Sequence, residues 1–460
     1  MTLRIANAAG FWGDWPSAPR RLLETAEVDF LTLEYLAELT LSIMASQRKK
    51  SPTAGYATDF VTVTEDIVSL LQTQPQLKIV TNAGGLNPIS CARAVGKVLV
   101  KCGLGNLPIG VVFGDDLLPQ MDTLTKEGCE LLHFDRGEPL GTLREKVTSA
   151  NAYLGAEPIS RSLEKGARIV ITGRVADASL TVGPAVHQFG WTWDDWNSLA
   201  AASVAGHIIE CGAQATGGYS TDWKSCQLAN IGYPIAEIGS DGQFIITKPD
   251  GSGGQVTRHT VTEQLVYEIG DPAAYLTPDV IVDFTTVEVA ALAENRVAVR
   301  GSTGREAPES YKVSLAYADG FTASGQLLVF GKDCVVKAKV VASLIEERLH
   351  QDGIELARMH TELLGAGDGL PGMQPPPDDL REVMLRIAAY DPRREAVAAF
   401  ARQFAPLITN GPAGLAGYAQ GRPSVRPLYS YWPTTVPKEL VFPEVRVLDA
   451  NHWANTPENN

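Results

Sequence analysis

Residues 77–88 read Leu-Lys-Ile-Val-Thr-Asn-Ala-Gly-Gly-Leu-Asn-Pro. A short apolar run ends in a loop with two adjacent glycines, and Pro88 follows where the first residue of a helix would stand. Proline loses nothing there, since it has no N–H to leave unpaired, and Asn87 is placed to cap the helix with its side-chain oxygen. The predicted helix runs to about Cys102, with Gly103 as a suitable stop. Strand, polar loop, helix is the repeating unit of a parallel sheet. Its strands are covered on both faces and therefore read as near-continuous apolar runs.

The same unit recurs to either side. Residues 3–9 (LRIANAA) are strand-like and lead to a helix predicted over 18–26, with Ser17 as its cap. Residues 28–33, 107–113 and 168–172 are further apolar strands, a helix is predicted over 37–47, and a short strand over 130–134. This predicts an α/β fold with a mostly parallel, doubly wound sheet in the N-terminal half. Beyond about Asp222 the texture changes to β-branched runs between Gly, Asp and Asn turns, at 244–248, 280–289, 296–301, 311–318 and 326–329. Helical pattern returns only at 335–350 and 378–389. Two domains are expected: 1–225, carrying the site, and 226–460, a smaller α+β antiparallel unit with a loop-rich end.

The chain has 460 residues, 53 acidic against 39 basic, for a formal charge of −14. That length suits two domains, and the composition is that of a globular protein. No long Lys/Arg run supplies the basic face of a nucleic-acid binder. No apolar stretch reaches the ~18 residues of a membrane span. Six cysteines without C-x-x-C spacing read as reduced thiols. The first residues lack a signal-peptide pattern, so the expected location is the cytoplasm.

In an open parallel sheet, ligands bind outside the carboxyl ends of the strands. Polar clusters fall just there: Asp14, Glu34 with Glu38, Asn82 to Asn87, Asp115 with Asp116, Asp135, and Arg174 with Asp177. Gly84 and Gly85 would let backbone N–H groups approach an anion beside a helix N-terminus, with Asn82 and Asn87 flanking. The same residues also suit a tight turn. The loop is neither a Walker A loop nor G-x-G-x-x-G, which disfavours nucleotide hydrolysis and nicotinamide use.

The densest polar segment is His207-Ile-Ile-Glu210-Cys211-Gly-Ala-Gln214-Ala-Thr216-Gly-Gly218. On a helix, His207 and Glu210 share a face. Histidine exchanges protons near neutral pH, and a neighbouring glutamate can orient it, act as a second base or bind metal. Gln214 and Thr216 add donors. The competing reading is a helix end with a satisfied histidine and a glycine stop. Cys211 reads as a structural thiol, and His133 beside Asp135 is a second histidine candidate. Late in the chain, Tyr418, Arg422 and Arg426 join several glycines, and an arginine there could hold a carboxylate bidentately.

These motifs coincide with a known family. Residues 10–14 (GFWGD), 33–40 (LEYLAELT), 81–88 (TNAGGLNP), 172–179 (TGRVADAS), 210–218 (ECGAQATGG), 232–237 (GYPIAE), 263–272 (EQLVYEIGDP), 417–423 (GYAQGRP) and 431–433 (YWP) resemble the acyclic terpene utilisation (AtuA) family. The resemblance runs from residue 3 to about 441. It implies a link to a bacterial pathway that degrades acyclic monoterpenes such as citronellol and geraniol. That pathway handles branched acyl-CoA thioesters by carboxylation, hydration and carbon–carbon cleavage. The resemblance carries no catalytic residues with it.

The expected function is a lyase or hydratase acting on a branched acyl-CoA or a small carboxylic acid. His207 is expected as acid/base, Glu210 as its partner and Asp177 as a second carboxylate. Arg174, Asn82, Gly84, Gly85, Asn87, Gln214, Thr216 and Arg422 are expected to bind substrate. No cofactor is required by the sequence and no metal ligand is assigned. The alternatives are a metal-assisted hydrolase, with a divalent ion held by Asp115, Asp116, His207 and Glu210, and a non-catalytic acyl-CoA-binding protein. The expected partners are a small-molecule substrate, with a CoA thioester as the candidate class, and further copies of the chain in a homo-oligomer.

Overall fold

A computed structural model describes residues 2–370, 379–417 and 421–457. In chain order it begins β1 (Thr2–Asn7), α1 (Ala18–Thr25), β2 (Phe30–Leu33), α2 (Glu38–Lys50), α3 (Asp59–Thr73), β3 (Lys78–Thr81), α4 (Pro88–Lys101), β4 (Pro108–Phe113) and α5 (Met121–Lys126). It continues β5 (Val147–Ala152), α6 (Glu157–Glu164), β6 (Ile169–Thr172), α7 (Ser179–Phe189), α8 (Trp196–Ile209), β7 (Ile235–Gly239), β8 (Phe244–Thr247) and α9 (Arg258–Leu265). The later strands are β9 (Tyr275–Leu276), β10 (Ile281–Asp283), β11 (Glu288–Ala293), β12 (Arg296–Arg300), β13 (Thr303–Arg305) and β14 (Ser310–Phe330). After α10 (Cys334–Gln351) come β15 (Arg358–Leu364), β16 (Glu382–Asp391), α11 (Arg394–Arg402), α12 (Leu407–Asn410), β17 (Leu415–Ala416), β18 (Arg426–Pro437), β19 (Glu444–Asp449) and α13 (Ala450–Asn455).

The chain forms an α/β fold with a ten-stranded mixed sheet. Its centre is parallel, in the order β1-β2-β3-β6-β4. Every residue of β2 and β6 is buried, as strands covered on both faces require. β7 joins β1 antiparallel and leads on to β8, β12 and β11, while β19 closes the other edge against β4. The helix after β3 starts as its sequence dictates: Asn87 accepts a hydrogen bond from the Ser90 amide at 3.2 Å, and Pro88 opens α4.

The chain divides into two compact units, Met1–Ala316 with Tyr431–Asn460, and Tyr317–Ser430. The change of texture near residue 225 therefore lies inside the first unit. Of the strands that follow it in this unit, β7, β8, β11 and β12 extend the large sheet on its antiparallel side, and β9, β10 and β13 form a separate three-stranded sheet. The second unit pairs β14 with β16 and β16 with β15, and α10 and α11 pack on one face of this sheet through Ala338, Val341, Ile345, Val397 and Phe400.

Two local expectations are corrected. Residues 382–391 form strand β16 where a helix over 378–389 is expected; Asp378 itself lies outside the described residues. Val383, Leu385, Ile387 and Ala389 are buried in strict alternation, and that period of two outweighs their helix propensity once β14 and β15 lie on either side. Residues 130–134 form an irregular turn instead of a strand. Leu131 has φ +50°, its carbonyl accepts from the Trp432 indole at 2.9 Å, and the Phe134 amide donates to Pro433 at 2.8 Å.

Candidate active site

The carboxyl ends of the parallel strands deliver Asn7, Glu34, Asn82, Asp115 and Arg174 to one edge of the sheet. Arg174 is only 2 % exposed. It donates to the Leu36 carbonyl at 2.6 Å and to Asp177 at 2.5 Å, and its guanidinium lies 4.1 Å from the Tyr153 ring centre. Its Nε is buried with no hydrogen-bond partner. Its backbone N–H donates to Asp115 at 2.8 Å, and the Asn151 amide donates to the same carboxylate at 2.8 Å. Gly173 permits this approach, because a Cβ there would collide with the Asp115 carboxylate.

Around this arginine lie more carboxyl groups than it can neutralise. Glu34 accepts from the Leu36 amide at 2.8 Å and from the Asn82 side chain, whose own oxygen accepts from the Tyr35 amide at 2.8 Å. The second oxygen of Glu34 is buried and unpartnered. Burial, reinforced by the charge of Asp177, pushes Glu34 up to about 8. Burial also raises Asp177, against the pull of Arg174. Glu210 is raised well above the carboxylate range by burial and then by Asp177, Glu34 and Glu268. Burial pushes Asp115 up to about 7. Glu38 goes the other way. Burial works to raise it, but Lys312 at 3.2 Å and the Tyr153 hydroxyl at 2.8 Å together hold it at about 2.

His207, in the last turn of α8, is 1 % exposed. Its ring lies 5.4 Å from Phe284 and 5.8 Å from Tyr275, and neither ring nitrogen has a hydrogen-bond partner. Nδ1 is 3.6 Å from Glu210. Burial lowers the imidazole to about 4, so it is neutral at pH 7 and Glu210 is the member of the pair that holds the proton. Asn7 fixes the end of this helix by donating to the carbonyls of Ile209 at 2.7 Å and Glu210 at 2.6 Å.

The remaining expected residues are mostly committed to the protein itself. A Cβ at Gly84 would meet Thr172 and Pro88, and one at Gly85, where φ is +52°, would meet Met44. The loop amides of Gly85 and Leu86 donate to Asn82 and Gly55 carbonyls at 3.1 and 2.8 Å. The Asn87 amide group donates to Pro52 and Ala54, each at 3.0 Å, besides capping α4. Thr216 donates to Ala213 and Gly232 at 2.9 and 2.5 Å. Gln214 is half-buried in the short 3-10 turn Gly212–Thr216. Burial raises the Cys211 thiol, leaving it protonated. His133 packs on the Trp432 ring at 4.9 Å. Arg422 is exposed in the second unit, and Tyr418 lies outside the described residues.

Asp116 pairs with Arg48 at 3.1 Å. Among the described residues, no three His, Cys, Asp or Glu side chains group as a metal site, and the set Asp115, Asp116, His207 and Glu210 is not brought together as one. The sequence marks Glu34 and Glu38 as a polar cluster but gives them no role. Asn7, Tyr153, Lys312 and Glu268 go unnoticed there. Asn7 carries a faint signal, as the one amide among the apolar residues Ile5, Ala6, Ala8 and Ala9. Glu268 shows itself only in three dimensions, by a left-handed backbone (φ +56°) that a non-glycine residue rarely holds.

A family model described as acyclic terpene utilisation family protein AtuA matches residues 3–447. The chain belongs to the AtuA family. No curated protein and no solved structure matches it. Among the described residues of this AtuA-family chain, no helix is long and apolar enough to cross a membrane. The family match takes in every strand that feeds the Arg174 cluster, together with α8 and its His207–Glu210 end.

Proposed function

We propose that this AtuA-family chain is an acid–base enzyme of the lyase or hydratase type, acting on a branched acyl-CoA or a related small carboxylic acid. One observation carries this reading. Around a single buried arginine, burial pushes Glu34 up to about 8 and Glu210 well above the ordinary carboxylate range, and raises Asp177 as well. Carboxyl groups whose proton affinity is brought towards neutral pH can both take and return a proton at a carbon alpha to a carbonyl. The reaction also needs an acid for the departing group and a donor for the enolate oxygen.

Glu210 is the acid/base, positioned by the Asn7 amide on its backbone carbonyl, with neutral His207 3.6 Å from its carboxyl. Asp177 is the second carboxylate. Arg174, with an unpartnered Nε, holds the substrate's carbonyl or carboxylate oxygen. The family's description favours a substrate derived from an acyclic terpene. The test is incubation in D2O with branched saturated and α,β-unsaturated acyl-CoA thioesters and their free acids. Deuterium uptake, hydration and cleavage would be followed by mass spectrometry. Uptake that disappears in Glu210→Gln and Asp177→Asn is the expected result. If the protein binds an acyl-CoA but the whole panel shows neither exchange, hydration nor cleavage, the chain is a binding protein and the enzymatic reading falls.

A further inference from the structure

At the N-terminus of α4 lies a cavity of about 330 Å³ that the acid–base chemistry does not use. Arg48, Asn87, Ser90, Arg93, Asp115 and Asp116 are among the residues that line it. Its size falls at the lower end of small-molecule sites.

Arg93 is the feature that needs explaining. It is 6 % exposed, and among the described residues its side chain has one hydrogen bond, from Nη2 to the Pro457 carbonyl at 2.5 Å. Its Nε is buried and donates to nothing. Among the described residues it has no ion-pair partner. The other cation of the cavity, Arg48, is already committed to Asp116 at 3.1 Å and to the Leu86 carbonyl at 3.0 Å. A buried guanidinium with no counter-charge among the described residues is costly, and this one stands in the second turn of a 14-residue helix whose N-terminus favours negative charge. Asp115 competes little for it. That carboxylate is taken up by the Arg174 amide and Asn151, and burial keeps it half-protonated near neutrality.

We propose that this cavity binds an oxyanion, the carboxylate or phosphate of a small ligand, with Arg93 as its charged anchor and the α4 N-terminus as its second source of positive potential. The site does not depend on the acid–base chemistry at Glu210, and its test reads binding alone.

Isothermal titration of the full chain with inorganic phosphate and, separately, with isovalerate is the direct measurement. Saturable 1:1 binding of at least one is expected. Phosphate alone would mark a phosphorylated ligand, isovalerate alone a carboxylic acid. Arg93→Gln should weaken binding at least tenfold. Because that change also disturbs the Pro457 contact, Ser90→Asp is the second variant. It leaves Arg93 in place, sets a carboxylate where the helix N-terminus favours one, and should fold normally by thermal melting while losing the added anion. Failure of wild-type protein to bind either anion would overturn the proposal, as would affinity unchanged in folded Ser90→Asp.

Discussion

Two arginines in the same unit are almost fully buried, and they are provided for in opposite ways. Arg174 meets a surplus of acids: Asp177 at 2.5 Å, with Glu34, Glu38 and Glu210 close enough for their charges to be felt. Arg93 meets a backbone carbonyl and, among the described residues, no acid. A surplus of buried carboxyls is relieved by holding protons, because like charges in a low dielectric cannot all ionise. A buried cation with no acid is relieved by an anion from outside. On the readings proposed above, the first arrangement holds protons for acid–base chemistry and the second takes up an anion.

The largest effect should fall on the proton-storing side. Glu210→Gln keeps the size of the side chain and removes its exchangeable carboxyl proton, so deuterium exchange into a competent substrate should fall ~10²–10⁴-fold. Asn7→Ala, which frees the two carbonyls that position Glu210, should lower turnover more than substrate affinity. Equal activity in wild type and Glu210→Gln would move the proton transfer to Glu34.

A smaller difference should appear in stability. Arg174→Met removes the counter-charge of the half-exposed Asp177 and of the buried Glu34, and should destabilise the fold more than the loss of Arg93 does. Arg93→Met removes one hydrogen bond to the exposed Pro457 carbonyl and, with it, a buried charge, and should cost less than about 1 kcal/mol. Urea unfolding at low phosphate measures both. Costs of equal size would mean that Arg93 has a counter-charge after all.

How much of this was legible in the sequence follows from what each residue depends on. The parallel core was readable because β2, β3 and β6 are short apolar runs whose burial on both faces leaves no polar alternation, and because Asn87-Pro88 announces α4 locally. The ends of those strands pointed to Arg174 and Asp177 and the polar end of α8 to Glu210, and the fold brings their charges within reach of one another. Their protonation was not readable, because it arises from burial and from charges far apart in sequence. His207 is the clearest case. Its type suggested a proton shuttle near pH 7, while Phe284 and Tyr275, some 70 residues away, make it a neutral ring. Gly84 and Gly85 suggested an anion cradle, yet Thr172, Pro88 and Met44 occupy the space a side chain would take. The cavity beside them owes its positive charge to Arg93, which looks in sequence like any surface arginine of a helix.

The two kinds of buried titratable group also give pH dependences of opposite sign. Glu34 is raised from 4.5 to about 8, so the folded chain binds its proton more tightly than the unfolded chain does. Its contribution to stability is fully present below pH ~4.5 and is lost as pH rises towards 8, by up to about 1.4 kcal/mol per pH unit. His207 is lowered from 6.5 to about 4, so the unfolded chain binds its proton more tightly. Its contribution is present above pH 6.5 and is lost as pH falls towards 4. Between about 4.5 and 6.5 the two slopes oppose each other, and from 6.5 to 8 only the carboxyl slope remains. Glu34→Gln reproduces the protonated carboxyl in shape: its oxygen can still accept from Leu36 and Asn82. The variant should match wild type near pH 5 and exceed it near pH 9, with a flatter urea midpoint between. If the wild-type midpoint instead rises steadily from pH 6.5 to 8, Glu34 is ionised in the folded chain, and the carboxyl surplus around Arg174 is met by something other than protons.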